Sequence, residues 1–444
     1  MKVVRLPENP GVSGWNKMLP PSPNFHELEE SQTADWLIIG AGFAGLAAAR
    51  RLQMEAPDDR IIVLEAKNLA EGPAGRNSGF MIDLPHNFAN KVYTGKLEKD
   101  RQRIGRNRQA IEFAKKIVEQ LDIPKEAFKE VGKISGSANK SGANHNQKYA
   151  AHLTKLEEPH ELYDAQTMRE ITGTNYYNGG LFTPGTVMLQ PALYIRSLGK
   201  KLISNKLQIY ERSPVVSLVR RGLNWWAETP KGHVTSPKVI LATNGHIESF
   251  GFFKQKLIHV FTYASMTRAL TFKEQKALGG VREWGITPAH PMGTTVRRIS
   301  GIGGARIIVR NRFTYEPSMQ PPKNSLKHAY NAHKRSFDAR FPCLEGVEME
   351  HKWGGHLALS LNDAVAFGEV ESNLFASCCQ NGLGTVRGTL HGMAVADFAM
   401  GKKTDLVVKI LNSSKLKKLP PKPILSLAIK TRISLGEFLA GKEF

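Results

Sequence analysis

Between Asp35 and Ala66 the chain reads DWLIIGAGFAGLAAARRLQMEAPDDRIIVLEA: an apolar run, a glycine-rich turn, a run of small apolar residues, a polar turn and a second apolar run. Short uninterrupted apolar runs bounded by turn residues fit strands buried on both faces, and a helix between two of them makes a β-α-β unit. Over residues 97–121, Ile104, Ile111, Ala114 and Val118 fall near one face against a basic opposite face, which predicts an amphipathic helix. Residues 179–206 pass from a loop into a helix opened by Pro191, a first-turn position where a missing N–H is tolerated. Residues 207–245 predict short strands, the last being Val239–Ala242 running into Thr243, Asn244 and Gly245. VFTYASM and ARIIVRNRF predict strands and NSLKHAYNAHKRSFDARF a helix, an antiparallel sheet capped by helices. A second strand-to-helix turn follows at Gly382–Thr385, with Val386, Leu390, Ala394 and Phe398 on one face of a helix from Thr385 to Met400.

The expected fold class is α/β: a Rossmann-like nucleotide-binding domain interleaved with an antiparallel-sheet α+β substrate domain. Residues 1–33 predict an extended arm over the surface; 34–90, 191–250 and 345–402 the nucleotide-binding domain; 91–190 and 251–344 the substrate domain; 403–444 a basic tail. A chain of 444 residues holds about two or three domains, which agrees.

Hydrophobic residues make up 41% of the chain, enough for a real core, which excludes a disordered protein. Three cysteines, two of them adjacent, exclude a disulfide framework and point to a reducing compartment. The first residues lack a signal-peptide core, and no run approaches the 18 or so apolar residues of a membrane span, so a cytoplasmic location is expected. The net charge of +21 alone fits nucleic acid, an anionic membrane surface or a basic proteome. Aromatic residues are not interleaved with basic ones as in single-strand binders, so no nucleic-acid partner is expected. The fourteen histidines are scattered and no C-x-x-C occurs, so no metal site is expected; there is no G-x-S-x-G elbow for hydrolysis.

Gly40, Gly42 and Gly45 form G-x-G-x-x-G, completed by Phe43 and Ala44, and Glu65 stands twenty residues past Gly45 at the end of the next strand. Gly40 allows the tight turn, Gly42 lets a pyrophosphate reach the backbone, and Gly45 lets helix and strand pack closely. The helix N-terminus favours the phosphate charge, and Glu65, followed by Ala66, can accept hydrogen bonds from ribose hydroxyls. The second turn, Gly382, Leu383, Gly384 and Thr385, offers another set of free N–H groups to a ligand.

DWLIIGAGFAGLAAARRL, IIVLEA, the loop GPAGRNSGF, KVILATNGHI, the Trp353-Gly354-Gly355 turn and Gly382-Leu383-Gly384 together resemble the D-amino-acid oxidase-like family of FAD-dependent oxidoreductases. The family includes glycine and sarcosine oxidases, and the resemblance is closest to its gamma-glutamylputrescine oxidoreductase branch, over nearly the whole chain. It implies an extended FAD with ADP on the first unit and the flavin ring at the boundary of the two domains. Arg76, Asn77 and Ser78 are then candidates to contact flavin or phosphate, Val216 to meet adenine through its backbone, and Thr243, Asn244 and Gly245 to complete the site. The positive end of the second helix would stabilise the reduced ring.

The implied reaction oxidises a C–N bond of an amino acid or amine, of N-substituted amino acid or gamma-glutamyl polyamine type, by hydride transfer to flavin N5. Tyr263 and His356 are candidate pocket residues, and Arg268, Arg306, Arg310 and Arg387 are candidate carboxylate partners. Non-covalent FAD is expected: the family's cysteine attachment falls near Trp353, where no cysteine stands, and Cys378 and Cys379 read as buried thiols. The electron acceptor is oxygen or a quinone or other carrier. The tail either rests on anionic lipid as a peripheral membrane contact or packs on its own domain. FAD-dependent 2-hydroxy-acid dehydrogenation and a basic flavoprotein domain binding RNA are the alternatives.

Overall fold

The computed structural model describes residues 1–21, 25–85 and 97–444, so the domain boundary expected at 90/91 lies outside the described residues. Its first layer is a six-stranded sheet in the order Leu207–Tyr210, Ile61–Leu64, Trp36–Ile39, Lys238–Leu241, Leu374–Cys378, Ala366–Glu371. The first five strands are parallel and only the edge strand Ala366–Glu371 runs antiparallel. Side chains alternate across the sheet: Trp36, Ile38, Ile61 and Val63 meet the helices Phe43–Glu55 and Gly384–Ala399, whereas Leu37, Ile39, Ile62 and Leu64 meet a small sheet carrying Leu218, Trp225, Ala227 and Val234. Burial on both faces explains the unbroken apolar runs.

The helices Phe43–Glu55 and Gly384–Ala399 approach closely because their contact is made of small residues. A Cβ on Gly392 would stand 2.3 Å from the Ala44 carbonyl oxygen. The amphipathic helix, Leu97–Gln120, packs on this same core through Ala110, Phe113, Ala114 and Ile117, although its residues fall in a segment expected to be substrate domain.

The second layer is an eight-stranded sheet in the order His351–Leu359, Ile258–Met266, Arg306–Tyr315, Thr295–Ile299, Trp284–Pro288, Lys133–Ser137, Gly179–Thr183, Glu161–Asp164. It is antiparallel except where Trp284–Pro288 pairs parallel with Lys133–Ser137. The segment 345–402 is therefore divided: His351–Leu359 is the edge of this sheet, and only the strands after it join the parallel one. Hydrogen bonds between distant strands decide membership, which local pattern does not record.

The N-terminal arm is not a surface strap. Trp15 and Leu28 are each 1% exposed, and Ser31–Thr33 pairs with His233–Ser236. Val3 N–H donates to the Val216 carbonyl at 2.9 Å and Gly354 N–H to the Pro10 carbonyl at 2.9 Å, so the arm is stitched to both layers.

Candidate cofactor and active site

The strand Trp36–Ile39 ends at Gly40, whose φ of +103° suits glycine, and the chain turns into the helix from Phe43. A Cβ on Gly40 would meet the Ala242 carbonyl oxygen at 2.8 Å, and one on Gly45 would stand 1.8 Å from the Gly40 carbonyl oxygen. Gly42 differs: its backbone is extended and an added Cβ would meet only the Ala74 methyl, at 3.6 Å. Among the described residues nothing requires glycine there, so the demand comes from the cavity Gly42 lines. No side chain caps that helix, so its first N–H groups are free for an anion.

Glu65 Oε2 accepts from Ala41 N–H at 2.8 Å and Oε1 from Lys67 N–H at 3.1 Å. Burial pushes its carboxyl upward, and the N–H groups of Ala41, Lys67 and Ala66 oppose that. The carboxylate is thus held rigidly at the strand end. Across the cavity the helix from Gly384 also lacks a side-chain cap, and none of the described residues stands within 4 Å of a Cβ built on Gly384.

One cavity takes Gly40, Gly42, Phe43, Ala44, Glu65 and Ala66 from the first unit, and Arg76, Asn77 and Ser78 from the loop. Thr243, Asn244, Gly382, Gly384 and Thr385 come from the later turns, and Thr262, Gly355, His356 and Leu357 from the antiparallel sheet. Gly45, Gly245 and Leu383 stand behind this wall; a Cβ on Gly245 would meet His356 Cε1 at 2.5 Å, so its smallness seats that ring.

Two expected site residues are corrected. Val216 lies outside the lining, and its N–H donates to Glu228 while its carbonyl accepts from Val3, so neither group is free for adenine; Val215 and Ser213 line the cavity instead. Tyr263 is also outside it. Alternate residues on a strand face opposite ways, so Thr262 faces the cavity while Tyr263 packs near Ala329 and its hydroxyl bonds Thr314 Oγ1 at 2.8 Å.

Arg76 lines the cavity, but its donors serve the backbone: Nε reaches the Glu71 carbonyl, and Nη1 the carbonyls of Gly11 at 2.8 Å and Gly354 at 3.0 Å. In return Trp353 Nε1 donates to the Arg76 carbonyl at 2.9 Å. Burial lowers the Arg76 guanidinium to about 10. Among the candidate carboxylate partners, Arg268 pairs with Glu274, Arg306 with Glu350 and Arg387 with Asp363, and none of the four lines the cavity.

His356 reaches away from the cavity to a buried chain of partners. Its Nε2 lies 3.1 Å from His259 Nδ1, and His259 Nε2 lies 2.9 Å from Glu248 Oε2. With one proton on each ring, the carboxylate requires N–H at His259 Nε2; His259 Nδ1 then accepts from His356 Nε2, and His356 Nδ1 is left as an acceptor. Burial holds His356 well below the usual histidine range and His246, also in the lining, down to about 4. The sequence reading missed His246, Thr262, Gln380 and the arm residues Val3, Arg5 and Asn9. His259 and His356 are 97 residues apart in sequence and carry no spacing signal.

The cysteines stand apart. Cys378 and Cys379 do not line the cavity, and burial pushes the Cys378 thiol up to about 12 and Cys379 higher still. No group of three or more His, Cys, Asp or Glu among the described residues could hold a metal ion.

A parallel sheet with an uncapped glycine-rich helix start, set against a large antiparallel sheet across a shared cavity, defines a two-layer dinucleotide-binding protein. The chain belongs to the family of FAD dependent oxidoreductases (DAO), which matches residues 35–398. It is similar to the "Probable oxidoreductase OrdL" of Haemophilus influenzae, 24% identical over 394 residues and 85% of each chain. It is similar also to the gamma-glutamylputrescine oxidoreductase of Escherichia coli, 23% identical over 387 residues, covering 85% of this chain and 86% of that one. In fold it resembles glycine oxidase from Geobacillus kaustophilus, with a TM-score of 0.69 at 15% identity over 88% of this chain and all of that one. The enzyme is therefore FAD-dependent. The open faces of Gly42 and Gly384 and the acceptor Glu65 fit that cofactor.

Proposed function

We propose that the protein oxidises a C–N bond of an amino acid or amine, of N-substituted amino acid or gamma-glutamyl polyamine type, to an imine. The observation that carries this reading is the convergence of the glycine-rich loop, the uncapped Gly384 helix, and Thr262 and His356 of the antiparallel sheet on one cavity. The name of the Escherichia coli relative supports the substrate class. FAD is assigned to Gly40, Gly42, Phe43, Ala44, Glu65 and Ala66 at its nucleotide end and to Arg76–Ser78, Thr243, Asn244, Gly382, Gly384 and Thr385 beyond. Bound there, the cofactor supplies hydride acceptance at flavin N5, and water hydrolyses the imine.

His246 and His356, held neutral by burial, suit a neutral amine: His356 Nδ1 accepts its N–H and orients the neighbouring carbon. The four candidate arginines stand away from the cavity, so a substrate carboxylate would meet Arg5 of the arm, which lines it. Oxygen or a quinone takes the electrons afterwards.

The test is anaerobic titration of the purified yellow protein with N-alkyl amino acids, D-amino acids, gamma-glutamyl amines and 2-hydroxy acids, following the visible flavin band. Bleaching by an amine class is expected. Bleaching by hydroxy acids alone overturns the chemistry, and a colourless protein that takes up no added FAD overturns the cofactor assignment.

A further inference from the structure

The helix Lys422–Ala440 is apolar on two faces. Its inner face, Leu425, Ile429 and Ile433, packs on Val260, Tyr315, Leu357 and Leu359 of the antiparallel sheet. A second stripe points outward: Ile424, Leu427, Leu435, Phe438 and Leu439 are each more than half exposed, Phe438 by 81% and Leu427 by 71%. Counted from Ile424, Leu427, Leu435 and Phe438 fall three, eleven and fourteen residues on, which is one side of a helix. An exposed apolar stripe of this length requires an occupant.

The charges decide which. Lys415, Lys417, Lys418, Lys422, Lys430, Arg432 and Lys442 are all exposed along this segment. Its two acids after Lys415 are withdrawn, Glu437 toward Arg312 and Glu443 buried, its carboxylate accepting from the His290 N–H. A second copy meeting this face about a two-fold axis would set these cations against themselves. A surface of negative charge over an apolar interior satisfies both the stripe and its flanks. No described helix is long and apolar enough to cross a membrane, so the element lies on the surface instead of spanning it.

We infer that the outer face of the helix Lys422–Ala440 docks on an anionic lipid bilayer, burying Ile424, Leu427, Leu435, Phe438 and Leu439 among the acyl chains while the flanking lysines meet the headgroups. This inference does not depend on the substrate reading above.

The test is co-sedimentation of the full-length holoprotein with phosphatidylcholine vesicles, with and without phosphatidylglycerol, alongside sedimentation velocity of the protein alone. Binding to the anionic vesicles at least about tenfold above the neutral ones is expected, weakening with salt. The double variant Leu427→Gln, Phe438→Gln should lose about tenfold of that binding while its thermal unfolding and flavin content stay unchanged. Equal binding by the variant, or no preference for anionic vesicles, overturns the inference. So does a stable dimer that the double variant dissolves, which would give the face to a second copy.

Discussion

Gly45 lies so close under Gly40 that a methyl group on it would stand 1.8 Å from the Gly40 carbonyl oxygen. The first and third glycines of the loop thus hold each other in place, whereas a methyl group on the second, Gly42, would make only an ordinary contact with the Ala74 methyl among the described residues.

The two positions should therefore fail in different ways. Gly45→Ala forces backbone apart and should cost about 2 to 4 kcal/mol of stability, read as a lower unfolding midpoint of the apoprotein. Gly42→Ala should leave that midpoint within about 0.5 kcal/mol and weaken FAD at least roughly tenfold, read by flavin fluorescence on titration. Unchanged FAD affinity in Gly42→Ala would remove the pyrophosphate from this loop.

Tyr263→Phe should be nearly silent in catalysis. Its hydroxyl bonds Thr314 Oγ1 outside the cavity, so the variant loses about 1 kcal/mol of stability and keeps kcat and KM. A large fall in kcat would show that Tyr263 reaches the substrate after all.

Glu248 reaches His356 of the cavity through His259 and should act only on its orientation. Glu248→Gln removes the requirement for a proton on His259 Nε2, so the acceptor at His356 Nδ1 is no longer fixed. The expected result is a fall in kcat/KM of roughly tenfold with a displaced acid limb in its pH profile, while flavin content is retained. A purely structural role would lower stability and leave the pH profile where it was.

Acid should destabilise the fold through its buried histidines. Burial lowers His246 to about 4 and His333 and His391 to about 3, whereas each titrates near 6.5 in the unfolded chain. Below pH 6.5 the unfolded chain takes up protons that the native state refuses, so stability falls as pH drops from 6.5 toward 4, by about 1.4 kcal/mol per unit for each ring. Glu65, raised by burial, acts with the opposite sign, so the comparison is made against His391→Gln. That variant should lose less stability between pH 6.5 and 5 in urea unfolding; equal slopes would contradict the assignment.

Arg76 clips the arm to both layers. Arg76→Lys abandons the forked bonds to the carbonyls of Glu71, Gly11 and Gly354 and should cost about 2 to 3 kcal/mol. Faster proteolysis within residues 1–21 should accompany it; an arm as resistant as in the unaltered protein would mean that the clip is redundant.

The β-α-β unit from Asp35 to Ala66, the helix at Pro191 and the second turn at Gly382 were legible in sequence because each depends on neighbours within a few residues: apolar period, glycine at a forced turn, proline at a first turn. The wall of the cavity was legible in the same places, since phosphate binding uses backbone at a helix start. Other features depended on pairing across the chain. Strand His351–Leu359 belongs to the antiparallel sheet because Ile258–Met266 pairs with it, and Thr262 in place of Tyr263 faces the cavity because strand side chains alternate. The sequence by itself determined dinucleotide binding through local backbone geometry, and FAD through its resemblance to a family. Only the tertiary structure brought His259, with Glu248 behind it, to His356 97 positions further on and left one side of the last helix bare, because contacts between residues so far apart leave no periodic trace in the chain.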